Sequence, residues 1–249
     1  MSSVKKKILP IAKWLSSCSR KLAFFFHRLQ FRIEWGSEHT PEWFDHFYDQ
    51  YYLWRDCREA FWLERGIYSL MALKPGGQIL ELCCGDGFNT YHFYSARAAK
   101  ITAVDFDPVA IRHACRYNSF NNIEFLVRDI RTGIPDGCYD NIVWDAAIQH
   151  FTEAEIENIM QTIKQRLTTD GILSGYTIVE KEDGTKSFSY HEREFRSMED
   201  LHHFFAPYFA NILIFETSYK SRRNLYFFAS DGVIPFTPQS PNMYLKTKA

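Results

Sequence analysis

No carboxylate precedes Glu34 in this chain of 249 residues, and no pair of its six cysteines has the Cys-x-x-Cys spacing of a zinc or dithiol site. The cysteines (Cys18, Cys57, Cys83, Cys84, Cys115, Cys138) lack a disulfide pattern, and vicinal Cys83 and Cys84 cannot chelate one metal or bridge each other without strain. A reducing cytoplasm suits such thiols, and no metal site is expected. No apolar run reaches the ~18 residues that a membrane-spanning helix needs, and Lys13 interrupts the first apolar segment, which argues against a secretory leader. Twelve glycines and nine prolines are too few for a collagen-like or low-complexity chain, and no internal repeat divides the sequence.

What is present is apolar and aromatic: 46% of residues are hydrophobic and 17% are Phe, Trp or Tyr, enough to close one large core. The net charge of −1 hides an asymmetry. Residues 1–33 carry +8, leaving 21 basic against 30 acidic residues, or −9, for the rest. A body of that sign repels a phosphate backbone, so nucleic acid is not expected as a partner.

From about residue 8 to 33, Ile8, Ile11, Leu15, Cys18, Leu22, Phe25, Leu29 and Ile33 recur at three- and four-residue steps, one stripe of a helix. With Lys13, Arg20 and Lys21 largely off the stripe, residues 1–36 read as a basic amphipathic helix. Four fates stay open for it: an anionic membrane interface met through residues 5–33, packing on its own domain, a frayed tail, or an organellar transit segment. Thr40-Pro41-Glu42 then reads as cap, first helical position and first-turn acid of an aromatic helix through Trp54. A second helix follows over about Arg58 to Leu73. Residues 37–75 form a helical cap in this reading; most of its rings are core, and Tyr52 and Trp54 are candidates to line a substrate pocket.

From residue 76 to 235 short β-rich runs alternate with helical stretches, the pattern of a parallel sheet covered on both faces. Strands are expected at Gln78–Cys83, Ile101–Asp105, Ile123–Val127, Asn141–Asp145 and Ile172–Val179, with helices near Asn89–Ala96, Pro108–Asn118, Glu153–Leu167 and Met198–Phe205. The last two strands, Asn211–Thr217 and Asn224–Ser230, are too close in sequence to be parallel and must form an antiparallel hairpin. The expected fold is α/β: a doubly wound, Rossmann-like, seven-stranded sheet with a C-terminal antiparallel hairpin, N-terminal helices and a tail over 236–249.

Ligands of such sheets sit at the carboxyl ends of the strands, where strand order reverses. There, Glu81-Leu82-Cys83-Cys84-Gly85-Asp86-Gly87-Phe88-Asn89 closes the first strand and opens a helix. Gly85 and Gly87 permit a tight turn and close backbone approach to a ligand. Asp105 ends the second strand 20 positions after Gly85, placed to accept both hydroxyls of a ribose, and Asp129 follows the third, placed to accept from an adenine amino group. Carboxylates at successive strand ends repel one another, so a polar or cationic ligand between them is expected. A nicotinamide dinucleotide is the rival ligand, but its fingerprint wants a small residue at position 90, where Thr90 stands.

Over residues 77–230 these motifs resemble the class I S-adenosylmethionine-dependent methyltransferases: the Glu81-x-Cys83-x-Gly85-x-Gly87 loop, the acidic end of the second strand, the Asp129-Ile130 pair and the closing hairpin. The resemblance implies that Gly85 and Gly87 approach S-adenosylmethionine, that Asp105 holds its ribose, and that Phe106 and Ile130 sandwich adenine while Asp129 fixes its amino group. It also implies that Glu81 and Asp145 face the methionine ammonium. Cys83 departs from the family, which usually has glycine there.

Methyl transfer is an in-line displacement, so positioning supplies most of the catalysis, and a hydroxyl acceptor would add a need for a base. His150 follows the fourth strand beside Gln149, in a stretch that borders cofactor and substrate in related enzymes. His191, with Tyr190, lies in an insertion after the fifth strand long enough to cover the mouth. The expected activity is methylation of a small molecule or glycan, at a hydroxyl, with a histidine base. A catalytically inactive binding protein and an NAD-dependent oxidoreductase are the alternatives. The absence of an Asn/Asp-Pro-Pro-Tyr motif argues against methylation of DNA bases.

Overall fold

The computed structural model describes residues 3–35, 54, 58–235 and 243–246, and the chain divides into two compact units, residues 1–58 and 59–249. In the first unit, helix α1 (Ser3–Trp35) runs for 33 residues and continues through Pro10. The aromatic helix expected from Thr40 onward, including Tyr52, lies outside the described residues; Trp54 is helical and exposed.

The second unit is built on a sheet of β1 (Gln78–Leu82), β2 (Lys100–Asp105), β3 (Ile123–Val127), β4 (Tyr139–Asp145), β5 (Leu167–Ile178), β6 (Asn211–Ser218), β7 (Arg223–Ser230) and β8 (Met243–Lys246). Its order is β3-β2-β1-β4-β5-β7-β6-β8. The first five strands are parallel, and β7 inserts antiparallel between β5 and its hairpin partner β6. All seven expected strands are present, and the stretch read as a tail adds β8 on the outer edge of β6. Strand order reverses between β1 and β4, so the carboxyl ends of these two strands flank the crevice where a ligand belongs.

The helices are fixed by local chemistry. Pro108 opens α3 (Pro108–Tyr117) behind Asp107, whose side chain accepts from the Val109 N–H at 2.7 Å. A reciprocal capping box of Thr152 and Glu155 starts α4 (Glu153–Arg166), and Ser197 caps α5 (Met198–Phe205). Helix α2 (Phe61–Ala72) has no side-chain cap and is held by tertiary contacts instead. Its Glu64 accepts from Tyr226 Oη at 2.9 Å, Thr217 Oγ1 at 3.2 Å and Tyr219 Oη, which ties the helix to the β6–β7 hairpin. This helix, placed with the cap from sequence, therefore sits in the sheet's own unit. The helix expected at Asn89–Ala96 is a short π-helical turn, Thr90–Tyr94, with Ser95 N–H donating to Thr90 O at 2.9 Å. Such turns recur at functional sites.

Candidate functional site

The loop after β1 is built from three left-handed positions in a row of five: Cys83 (φ +57°), Gly85 (φ +57°) and Gly87 (φ +74°). Cys83 thus adopts the conformation for which glycine is favoured, with a side chain present. Gly87 is required for packing as well as conformation, since a Cβ there would meet the Phe125 ring at 2.7 Å and Ala114 Cβ at 3.0 Å. Its missing side chain seats the loop against β3 and α3. Cys83→Val, which forces a β-branched side chain into the left-handed region, should lower the unfolding free energy by about 1–3 kcal/mol, whereas Cys83→Gly should be tolerated; urea unfolding midpoints distinguish the two.

Asp105 holds this loop in place. Its Oδ2 accepts from the Gly85 N–H at 2.9 Å and its Oδ1 from the Asp107 N–H at 2.9 Å. Burial pushes its pKa up, and the backbone donors oppose that shift. One buried carboxylate thus links the β1 loop to the end of β2. Next to it Phe106 projects with 64% of its surface exposed, as a ring that stacks on a ligand would, while Ile130 is buried in the core.

The acids at the strand ends are each compensated by the chain itself. Asp129 is clamped by Arg131, Nε donating to Oδ1 at 2.9 Å and a terminal nitrogen to Oδ2 at 2.7 Å, and this guanidinium holds its carboxyl below the usual range. Its expected partner, an adenine amino group, must share it with Arg131. Asp145 pairs with Arg65 of α2, Nε to Oδ2 at 2.8 Å, with both side chains buried. The guanidinium carbon lies 4.9 Å from the Tyr176 ring centroid. Glu81 is buried and receives the Thr90 hydroxyl at 2.5 Å. Burial, reinforced by Asp145, Asp86 and Asp105, raises its pKa to about 8, so it carries a proton at neutral pH. Thr90, which the rival dinucleotide fingerprint would make small, is the residue that holds Glu81.

Glu81, Asn89 and Asp145 converge between β1 and β4: Asn89 Nδ2 reaches Asp145 Oδ2 at 3.4 Å. Asn89 Oδ1 is buried and finds no donor among the described residues. An unmatched acceptor beside two acids is what an ammonium donor would satisfy, so the residues at this end of the crevice fit an amino acid moiety.

Beyond β4 the two candidate histidines come together, with ring centroids 4.8 Å apart. His150 ends a 3-10 turn (Ile148–His150), and its ring stacks on Tyr190 at 5.5 Å; Tyr190 in turn stacks on Phe188. His191 is buried and its Nδ1–H donates to Glu194 Oε1 at 2.5 Å. The insertion is docked by Glu192 and Arg193 N–H groups on the carbonyl of Gln149. Gln149 itself is buried, its amide bonded to Ala146 O at 2.8 Å and to Thr177 Oγ1 at 3.2 Å, so it braces the turn and its side chain does not present a free amide to a substrate.

Two site residues had no sequence signal specific enough to find them. Arg65 lies 80 positions before Asp145 on an unremarkable helix. Glu194 was visible three residues after His191, but only the folded insertion turns it inward.

The parallel sheet with an antiparallel β7 next to β5, and an acid-tipped loop at the switch point, define the class I methyltransferase fold. Residues 79–171 match the family described as a methyltransferase domain. An uncharacterized methyltransferase of Synechocystis sp. is 26% identical over 105 residues, 42% of this chain and 48% of that protein. The ribosomal protein L11 methyltransferase of Burkholderia pseudomallei is 34% identical over 86 residues, 34% of this chain and 24% of that protein. The chain thus spans half or less of the length of these relatives. Among solved structures, the N-methyltransferase NodS from Bradyrhizobium japonicum, crystallised with S-adenosyl-L-homocysteine, superposes with a TM-score of 0.55 at 17% identity over 71% of this chain and 90% of NodS.

Proposed function

We propose that this chain transfers a methyl group from S-adenosylmethionine to a hydroxyl of a small molecule or glycan, with one of the paired histidines as base. The observation that carries the cofactor reading is the convergence of Glu81, Asn89 and Asp145 at the switch point, beside a loop pinned by Asp105. A dinucleotide reading has no use for that convergence, and its all-parallel sheet has no antiparallel β7.

S-adenosylmethionine supplies an electrophilic methyl carbon on a sulfonium. The chain's residues do the rest. Asp105 would hold the ribose, Phe106 and Ile130 the adenine, and Asp129 its amino group. Glu81, Asp145 and Asn89 would accept from the ammonium, and Arg65, in the same cluster, would meet the carboxylate. The acceptor hydroxyl would lose its proton to an imidazole nitrogen as its oxygen bonds to the methyl carbon, the carbon–sulfur bond breaking so that its electron pair stays on sulfur and S-adenosylhomocysteine leaves as a neutral thioether. Two histidines held in contact at the end of β4, one of them oriented by a buried carboxylate, support that role. Tyr190 offers an exposed ring to the acceptor. The cytoplasmic setting rests on the cysteine usage of the sequence.

Calorimetric titration tests the cofactor reading: S-adenosylmethionine should bind with micromolar affinity and NAD should not, and the reverse order would overturn the proposal. Isotope-labelled methyl donor offered to fractionated small molecules and glycans then identifies the acceptor. On that acceptor, His150→Ala or His191→Ala should lower turnover by ~10²–10⁴-fold with cofactor affinity within about threefold of wild type. Unchanged turnover in both would remove histidine from the reaction.

A further inference from the structure

We propose that α1 binds the surface of an anionic membrane, lying in the plane of the headgroups with its apolar stripe down. At 1.5 Å per residue the helix is about 50 Å long. At 100° per residue, Ile11, Trp14, Leu15, Leu22, Phe25 and Leu29 fall within an arc of about 120° that runs its length, and all six are exposed. Lys21, Arg28 and Arg32 line one border of the arc, Lys7 falls within it near the helix start, and Lys13 and Arg20 occupy the far side. No helix among the described residues is long and apolar enough to cross a bilayer, so this one lies on a surface.

Charge selects the occupant. The three- and four-residue spacing also suits a seam between two copies, but such a pair sets eight positive charges against eight, with no carboxylate in residues 1–33 to offset them. Lys21 and Arg28, which flank the stripe, would face their own like. An anionic bilayer supplies a continuous apolar layer for the stripe and negative charge for its basic border, and Trp14 and Phe25 are ring types that settle at that boundary.

The test uses the full chain and sedimentation with vesicles of phosphatidylcholine containing 30% phosphatidylglycerol, against vesicles of phosphatidylcholine alone. The anionic vesicles should bind at least tenfold more strongly, and 0.5 M salt should weaken that binding about tenfold. Leu15→Glu with Leu22→Glu, and separately Lys13→Glu with Arg20→Glu and Arg28→Glu, should each reduce binding at least tenfold with the thermal unfolding midpoint unchanged. Equal binding to neutral vesicles, no binding to either, or variants that bind as wild type would overturn the proposal. So would a vesicle-free dimer that Leu15→Glu with Leu22→Glu dissolves, which would give the stripe to a second copy.

Discussion

Arg65→Ala should lower the unfolding free energy by about 3–5 kcal/mol. The reason is the environment of its partner. Asp145 sits buried at the end of β4 with the Arg65 Nε 2.8 Å away, and removing the guanidinium leaves a buried carboxylate without its cation, while Asn89 Nδ2 stands 3.4 Å from the same oxygen. Tyr176 would also lose the cation over its face. If the uncompensated charge is the cause, Asp145→Asn introduced into Arg65→Ala should recover a large part of the loss, because an amide in that position costs far less to bury. Denaturant unfolding of the two single variants and the double variant measures this directly. Additive losses would show instead that packing of the two side chains, and not their charge, carries the stabilisation.

The second large effect concerns Glu81 and pH. Its carboxyl titrates at about 8 in the folded chain, raised chiefly by burial, against the ordinary value of 4.5. Between those values the folded protein holds a proton that the unfolded chain has released. Stability should therefore be fullest below about pH 4.5 with respect to this group, and should fall as pH rises toward 8 at up to about 1.4 kcal/mol per pH unit. Glu81→Gln keeps an acceptor for Thr90 and removes the titration, so its stability profile should be flatter over pH 5–8 and its thermal midpoint at pH 8.5 higher than that of wild type. Above about pH 8, where Glu81 ionises, the same substitution should weaken S-adenosylmethionine by at least about tenfold, since a charged acceptor for the ammonium is lost. Wild-type affinity should rise with pH until Glu81 ionises. A variant that is both more stable and a poorer binder marks a residue kept for the ligand at the expense of the fold; a variant that loses stability across the range would mark Glu81 as structural.

Local signals made most of the sheet legible. The β-rich runs at Ile101–Asp105 and Ile123–Val127, the Asp107-Pro108 start of α3 and the Thr152–Glu155 box are each decided by residues within a few positions of one another, and strands and helices formed where those residues stand. The short separation of β6 and β7 fixed their antiparallel pairing by the reach of the chain alone. The π-turn at Thr90–Tyr94 was less accessible, because the register of one turn depends on how Thr90 is drawn to Glu81 and Gly87 to Phe125. Strand β8 was hidden for a similar reason: four residues gain strand character only from the edge of β6.

By itself, the sequence determined the order of elements, the glycine-bearing loop after β1 and the acids at the strand ends, because backbone preference and side-chain alternation act over short range. Only the tertiary structure decided what those acids experience. Arg65 arrives beside Asp145 from 80 residues away, Arg131 folds back on Asp129, and Glu81 is buried deeply enough to hold a proton. Charge compensation and desolvation depend on distances in space and on exclusion of water, and a linear order of residues specifies neither until the chain has packed.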